Sequence, residues 1–213
     1  MSIPGGVPDH VGDPVGRRRV LTGPNALTAV RLGLVPVLAW LLFGTGDFDA
    51  QSRWWAAGVF VFAAVTDVVD GAWARRQGSV TTVGKIADPI ADKAITGVAL
   101  IGLSWWGALP WWVTVVILAR EIIVTAARFV VIRHGVIPAS RGGKAKTLAQ
   151  IVAITAFLVP VSQVWDPVRW IAMGIALLLT VVTGLDYLVR AVRLRRGDAP
   201  SMPEGSGSSG VTR

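Results

Sequence analysis

Asp67-Val68-Val69-Asp70-Gly71-Ala72-Trp73-Ala74-Arg75 and, after eight further residues, Gly84-Lys85-Ile86-Ala87-Asp88-Pro89-Ile90-Ala91-Asp92 decide the reading of this chain. Four carboxylates stand among apolar and small residues. The i, i+3 spacing puts Asp67 and Asp70 on one face of a helix, and the i, i+4 spacing does the same for Asp88 and Asp92. Two antiparallel helices joined by the short intervening loop can converge all four on one point. Pro89 falls near the start of the second helix, where proline is tolerated. Carboxylates beside hydrocarbon are costly and as a rule face a polar cavity with a partner.

Four ionised carboxylates in one place repel each other, so either some are protonated or cations neutralise them. The chain has no cysteine, and its histidines are His10 and His134. An all-oxygen donor set suits Mg²⁺ or Mn²⁺ better than Zn²⁺. Two such ions bridged by shared carboxylates make a clamp for phosphoryl chemistry. Gly71, Ala74 and Gly84 lie on the aspartate faces and leave room for a ligand to approach the backbone. The plainer reading of each alone is helix packing through small residues. Arg75 stands where it would meet a diphosphate, or else serves beside Arg76 as a topology charge.

Composition sets the solvent. Of 213 residues, 53% are hydrophobic and 16% charged, with a mean hydropathy of +0.57. A soluble domain carries about 25% charged residues, so the deficit points to lipid. The net charge of +8 would suggest nucleic acid in a soluble protein. Here it reads as loop charge that sets orientation, with anionic lipid as a second contributor, and no nucleic-acid partner is expected. The lack of cysteine excludes a disulfide framework and a thiolate metal site.

The expected fold is all-α, with six transmembrane helices of about 20 residues each. They are placed near 25–43, 54–75, 85–106, 111–134, 144–161 and 168–193, with a tight turn at Gly107-Ala108-Leu109-Pro110. Residues 20–195 form the helical domain. Residues 1–19 read as a disordered arm with no apolar signal-peptide core, and 196–213 as a disordered Gly-Ser tail. The loops read as outer, 44–53, 107–110 and 160–169, hold only Arg53 and Arg169 of the 21 Lys and Arg residues. Both termini are therefore expected in the cytoplasm. Trp54, Trp55, Trp105, Trp106, Trp111, Trp112, Trp165 and Trp170 gather at the outer ends, as an interfacial belt does.

The string Asp67-x2-Asp70-Gly71-x2-Ala74-Arg75-x8-Gly84-x3-Asp88-x3-Asp92 resembles the signature of the CDP-alcohol phosphatidyltransferases at every defined position. The resemblance covers about residues 20 to 195 and agrees with the six-helix plan. It implies that Asp67, Asp70 and Asp88 are metal ligands, with Asp92 near the metals and acting as general base. It implies that Gly71, Ala74 and Gly84 line a cytidine site and that Arg75 contacts the diphosphate. The implied reaction is displacement of CMP from CDP-diacylglycerol by an alcohol hydroxyl, in phospholipid biosynthesis. The implied setting is a bacterial plasma membrane with the active site facing the cytoplasm. The implied assembly is a homodimer.

The signature fixes the donor and leaves the alcohol open. Ala119-Arg120-Glu121-Ile122-Ile123 and Gly143-Lys144-Ala145-Lys146-Thr147 bring basic groups toward the same cavity, and cations in excess suggest an anionic acceptor. These segments, with Pro24-Asn25-Ala26-Leu27-Thr28-x2-Arg31, resemble the bacterial branch of the family that uses glycerol 3-phosphate, the phosphatidylglycerophosphate synthases. On that resemblance Arg120, Lys144, Lys146 and Thr147 help to hold glycerol 3-phosphate. Asn25, Thr28 and Arg31 lie near the cytidine or phosphate end of the donor. Other readings stay open: Asn25 as a helix cap, Arg120 in a structural ion pair, and Lys144 and Lys146 as topology charges. Within the family, inositol phosphate is the alternative acceptor, or phosphatidylglycerol as in cardiolipin synthesis. An ion or proton transporter is a competing class. Against it, the chain shows no repeat, and the aspartates sit at one face rather than the midplane.

Overall fold

Local chemistry sets where each helix begins and ends. The computed structural model describes residues 23–77, 82–131 and 141–196, and side chains over 29–66, 93–127 and 142–193. Among the described residues six α-helices run in order: α1 (Gly23–Ala39), α2 (Ala50–Gln77), α3 (Thr82–Trp105), α4 (Trp111–Val131), α5 (Arg141–Leu158) and α6 (Asp166–Arg196). A π turn, Trp40–Gly44, follows α1, and a 3₁₀ turn, Gln163–Trp165, precedes α6. Among the described residues there is no strand, so the all-α expectation holds. The arm at 1–19 and the tail beyond 196 lie outside the described residues.

The helices match the expected spans to within a few residues, and the differences have local causes. α2 begins ahead of its apolar run because Asp49 caps it: the carboxylate Oδ1 accepts the Ser52 N–H at 2.9 Å. α5 stops at Leu158, just before Pro160 forces its predecessor out of helical geometry. α6 opens on Asp166-Pro167, an acid and a proline in the first turn, where each is favoured. The turn after α3 is closed by Ala108 N–H to Leu103 O at 2.9 Å and Gly107 N–H to Ser104 O at 3.1 Å. That pair is a Schellman motif, and it needs the left-handed backbone that Gly107 supplies at φ +71°.

One end of the bundle is tied by a few long-range contacts. Trp106 Nε1 donates to Leu42 O at 2.6 Å, fixing the α3 end to the π turn after α1. Phe48 stacks on Trp106 at 5.7 Å, and the Arg53 guanidinium lies 4.7 Å over Phe48. Arg53 also donates to Phe157 O, Leu158 O and Val159 O at 3.0, 3.1 and 3.4 Å. Arg169 donates to Val161 O at 2.9 Å and pairs with Asp166 at 3.1 Å. The two basic residues of the loops read as outer are thus both carbonyl caps around the end of α5. The tryptophans of this end, Trp106 apart, are exposed.

The core runs through Leu38, Leu42, Phe60, Leu100, Leu103, Ile117, Ile154, Leu158 and Met173. Among the described residues α5 packs most extensively on α6, and α1 on α3 and α2. α1 therefore lies beside both helices that carry the aspartates, and its Arg31 is buried there at 1% exposure. The exterior is apolar as well: Ile122, Leu148, Ile171, Leu178 and Leu185 are each more than half exposed. A soluble monomer rarely shows so much contiguous apolar surface. By length and composition one helix among the described residues, Gln163–Arg193, suffices to cross a membrane. Ala29–Gly44 and Lys93–Trp105 are apolar over shorter lengths.

Candidate functional site

The helical backbone of α2 carries Asp67, Asp70, Gly71, Ala74 and Arg75, and that of α3 carries Gly84, Asp88 and Asp92. The same-face spacings therefore apply on both. The donor set is oxygen only, in a chain without cysteine, and it fits a hard divalent cation. The side chains of these eight residues, and those of Asn25 and Thr28, lie outside the described residues.

The described part of the site begins one residue later. Lys93 follows Asp92 on α3, and its Nζ reaches Glu121 Oε2 on α4 at 2.7 Å. The other carboxylate oxygen, Oε1, accepts from Arg120 at 2.9 Å and from the Lys146 ammonium of α5. The Glu121, Arg120 and Lys146 side chains are 13%, 15% and 9% exposed, whereas Lys93 is 31% exposed and opens the group to one side. Three cations thus surround a single carboxylate in a mostly dry place. Isolated buried charge is costly, so such a group is held by its pairings or by what it binds.

Arg120 has a second set of partners. Its Nε donates to Thr180 O at 2.9 Å and an NH2 hydrogen goes to Thr183 Oγ1 at 2.8 Å. The Thr180 hydroxyl accepts from Gln150 of α5 at 3.1 Å and donates back to Ala176 O at 2.6 Å. At Gly184 of α6 a side chain would sit 2.8 Å from Arg120 Nε and 2.9 Å from its Cγ. The arginine stem lies on bare backbone there, and the guanidinium fastens α4 to α6.

Of the four expected acceptor residues, the fold brings Arg120 and Lys146 together on Glu121. Lys144 is exposed at the start of α5. The Thr147 hydroxyl donates to Gly143 O within its own helix at 3.1 Å. Sequence reasoning missed Lys93, Thr180, Thr183 and Gly184. For Lys93 a signal existed, a lone cation directly after the last aspartate. For the α6 residues there was none, since threonine and glycine in an apolar helix are ordinary.

Comparison with known proteins shows the family. The profile of the family "CDP-alcohol phosphatidyltransferase" matches residues 21–182. The chain is 49% identical over 184 residues to a "probable phosphatidylglycerophosphate synthase" of Mycobacterium tuberculosis, covering 86% of this chain and 88% of that one. It is 37% identical over 177 residues to the "CDP-diacylglycerol–glycerol-3-phosphate 3-phosphatidyltransferase" of Bacillus subtilis, covering 77% and 92%. Its fold is similar to that of Mycobacterium tuberculosis phosphatidylinositol phosphate synthase. With manganese and citrate that structure has a TM-score of 0.58 at 20% identity, over 82% of this chain and 84% of that one. With CDP-DAG bound the TM-score is again 0.58, at 19% identity and over 91% and 94%. The family profile spans most of the helical region, and the relatives match over most of their length: the chain belongs to the CDP-alcohol phosphatidyltransferases.

Proposed function

We propose that this protein transfers the phosphatidyl group of CDP-diacylglycerol to glycerol 3-phosphate, giving phosphatidylglycerophosphate and CMP in phospholipid biosynthesis. The observation that carries the acceptor is the Lys93–Arg120–Lys146 cluster on Glu121, one residue along α3 from Asp92. Cations in excess favour a phosphorylated alcohol over a neutral one. The names of the relatives from Mycobacterium tuberculosis and Bacillus subtilis support the same choice.

In this reading Asp67, Asp70, Asp88 and Asp92 hold divalent cations, Mg²⁺ or Mn²⁺, two in number. A manganese-bound structural neighbour supports the metal class. When bound, the metal neutralises the diphosphate and stabilises the leaving CMP. Asp92 takes the proton of the attacking hydroxyl. Gly71, Ala74 and Gly84 admit the cytidine, Arg75 meets the diphosphate, and Asn25, Thr28 and Arg31 stand near the nucleotide end. Lys144, Lys146 and Thr147 hold the acceptor, and Arg120 adds its charge. The enzyme is a homodimer of six-span chains in the bacterial plasma membrane, with both termini and the site on the cytoplasmic side. The apolar exterior and the spread of basic residues support that placement.

The test is an acceptor assay on purified protein in mixed micelles of detergent and CDP-diacylglycerol. Radiolabelled glycerol 3-phosphate is expected to enter lipid with release of CMP, to stop on chelation and to resume with Mg²⁺ or Mn²⁺. Asp92→Asn is expected to lower turnover by 100-fold or more, within the range of lost base catalysis (about 10²–10⁴-fold), while CDP-lipid binding persists. Incorporation of inositol phosphate or phosphatidylglycerol instead would replace the acceptor and keep the chemistry.

A further inference from the structure

Glu121 is the one acidic residue of α4, and it receives more positive charge than an ion pair needs. One cation would neutralise it. Three approach it, two through Oε1 and one through Oε2, from three helices. Among the described residues the group is left with two positive charges, in surroundings where uncompensated charge is costly. Fixing chain orientation does not require this, since topology charges work best in water at helix ends. A single lysine from α3 or α5 would neutralise Glu121 and fasten α4 to that neighbour, while Arg120 separately joins α4 to α6 through Thr180 and Thr183.

We propose that Glu121 is a positioning residue of the acceptor site. It aims the ammonium groups of Lys93 and Lys146 so that together they receive a phosphomonoester dianion. The inference rests on the proposed acceptor reading and goes beyond it by naming the residue that arranges the cations. The charges correspond: three cations less one carboxylate leave two, and a phosphomonoester carries about −1.5 to −2 at pH 7. Each ammonium has three donors and gives one to Glu121, so others remain for phosphate oxygens. Lys93 adds a mechanical link. It is joined to Asp92 by one peptide unit, about 3.8 Å between Cα atoms. Holding Lys93 therefore fixes the turn of α3 that presents the proposed base relative to the acceptor phosphate.

The experiment measures KM for each substrate, a quantity independent of how much of a preparation is folded. In full-length protein in mixed micelles with Mg²⁺, Glu121→Gln keeps the side-chain shape and removes the charge, so Lys93, Arg120 and Lys146 repel one another and lose their aim. The KM for glycerol 3-phosphate is expected to rise tenfold or more, while that for CDP-diacylglycerol stays within twofold. Lys93→Met, at the partly exposed edge, is expected to raise the same KM at least threefold. It decides the matter alone if the first variant does not fold. An acceptor KM within twofold of wild type, or an equal rise in both constants, overturns the role of Glu121. If the wild-type chain uses no phosphorylated acceptor at all, the acceptor reading fails first and this inference falls with it.

Discussion

At the scale of single residues, Arg120 shows how a functional-looking cation is also a structural one. The sequence left two readings open for it, acceptor contact and ion pair. The fold gives it Glu121, Thr180 and Thr183 as partners and lays its stem on Gly184. The distances at Gly184 are below any ordinary Cβ contact, and the guanidinium is held on three sides, so the stem cannot give way. Gly184→Ala should therefore overpack the α4–α6 contact at a cost of about 1–3 kcal/mol. For a chain of this size that corresponds to a fall in Tm of roughly 2–12 °C, measurable by thermal unfolding in detergent. An unchanged Tm would mean that Arg120 has another place to go.

At the scale of elements, the ends of the helices carry most of the legible design. Asp49 before α2, Gly107 after α3 and Pro160 after α5 mark boundaries in ways a sequence reader can use. Arg53 was legible only as a stray positive charge on the wrong side. In the fold it reaches across to three carbonyls at the end of α5, of which those of Phe157 and Leu158 would otherwise have no helical partner. Arg53→Ala should lower stability by about 2 kcal/mol, the scale of a lost charge-assisted hydrogen bond. Arg53→Lys should recover only part, because an ammonium lacks the planar fork that bridges neighbouring acceptors. Equilibrium unfolding of the three proteins in one detergent checks the ranking, and full recovery by lysine would refute it.

At the scale of the whole molecule, the question is what surrounds the bundle. Its exposed face is apolar along α4, α5 and α6, and among the described residues its exposed tryptophans collect at the end where α2, α4 and α6 begin. If that end is the outer one, the cysteine-free chain offers a clean labelling test. Ser162→Cys, between α5 and α6, should react with a membrane-impermeant maleimide in intact cells. Gln77→Cys, at the last residue of α2, should react only after permeabilisation. The reverse pattern would invert the proposed orientation, and labelling of neither residue in intact cells, with both reacting after permeabilisation, would refute the crossing.

The sequence by itself determined the helices and the family, and it proposed the aspartates. All three follow from near-neighbour chemistry: apolar runs of set length, caps and breakers, and a motif whose spacing matches one helical face. It also pointed to a cationic acceptor region, because charge in an apolar chain is conspicuous. Only the tertiary structure decided how those cations are arranged. Lys93, Glu121 and Lys146 are 28 and 25 residues apart in sequence and meet through contacts between helices, which no local pattern encodes. The same holds for Arg53 on α5 and for Arg120 on α6, separated from their partners by more than 100 and about 60 residues. Periodicity says which face of a helix is apolar, whereas packing alone says which neighbour that face meets and where a lone carboxylate gathers three positive charges.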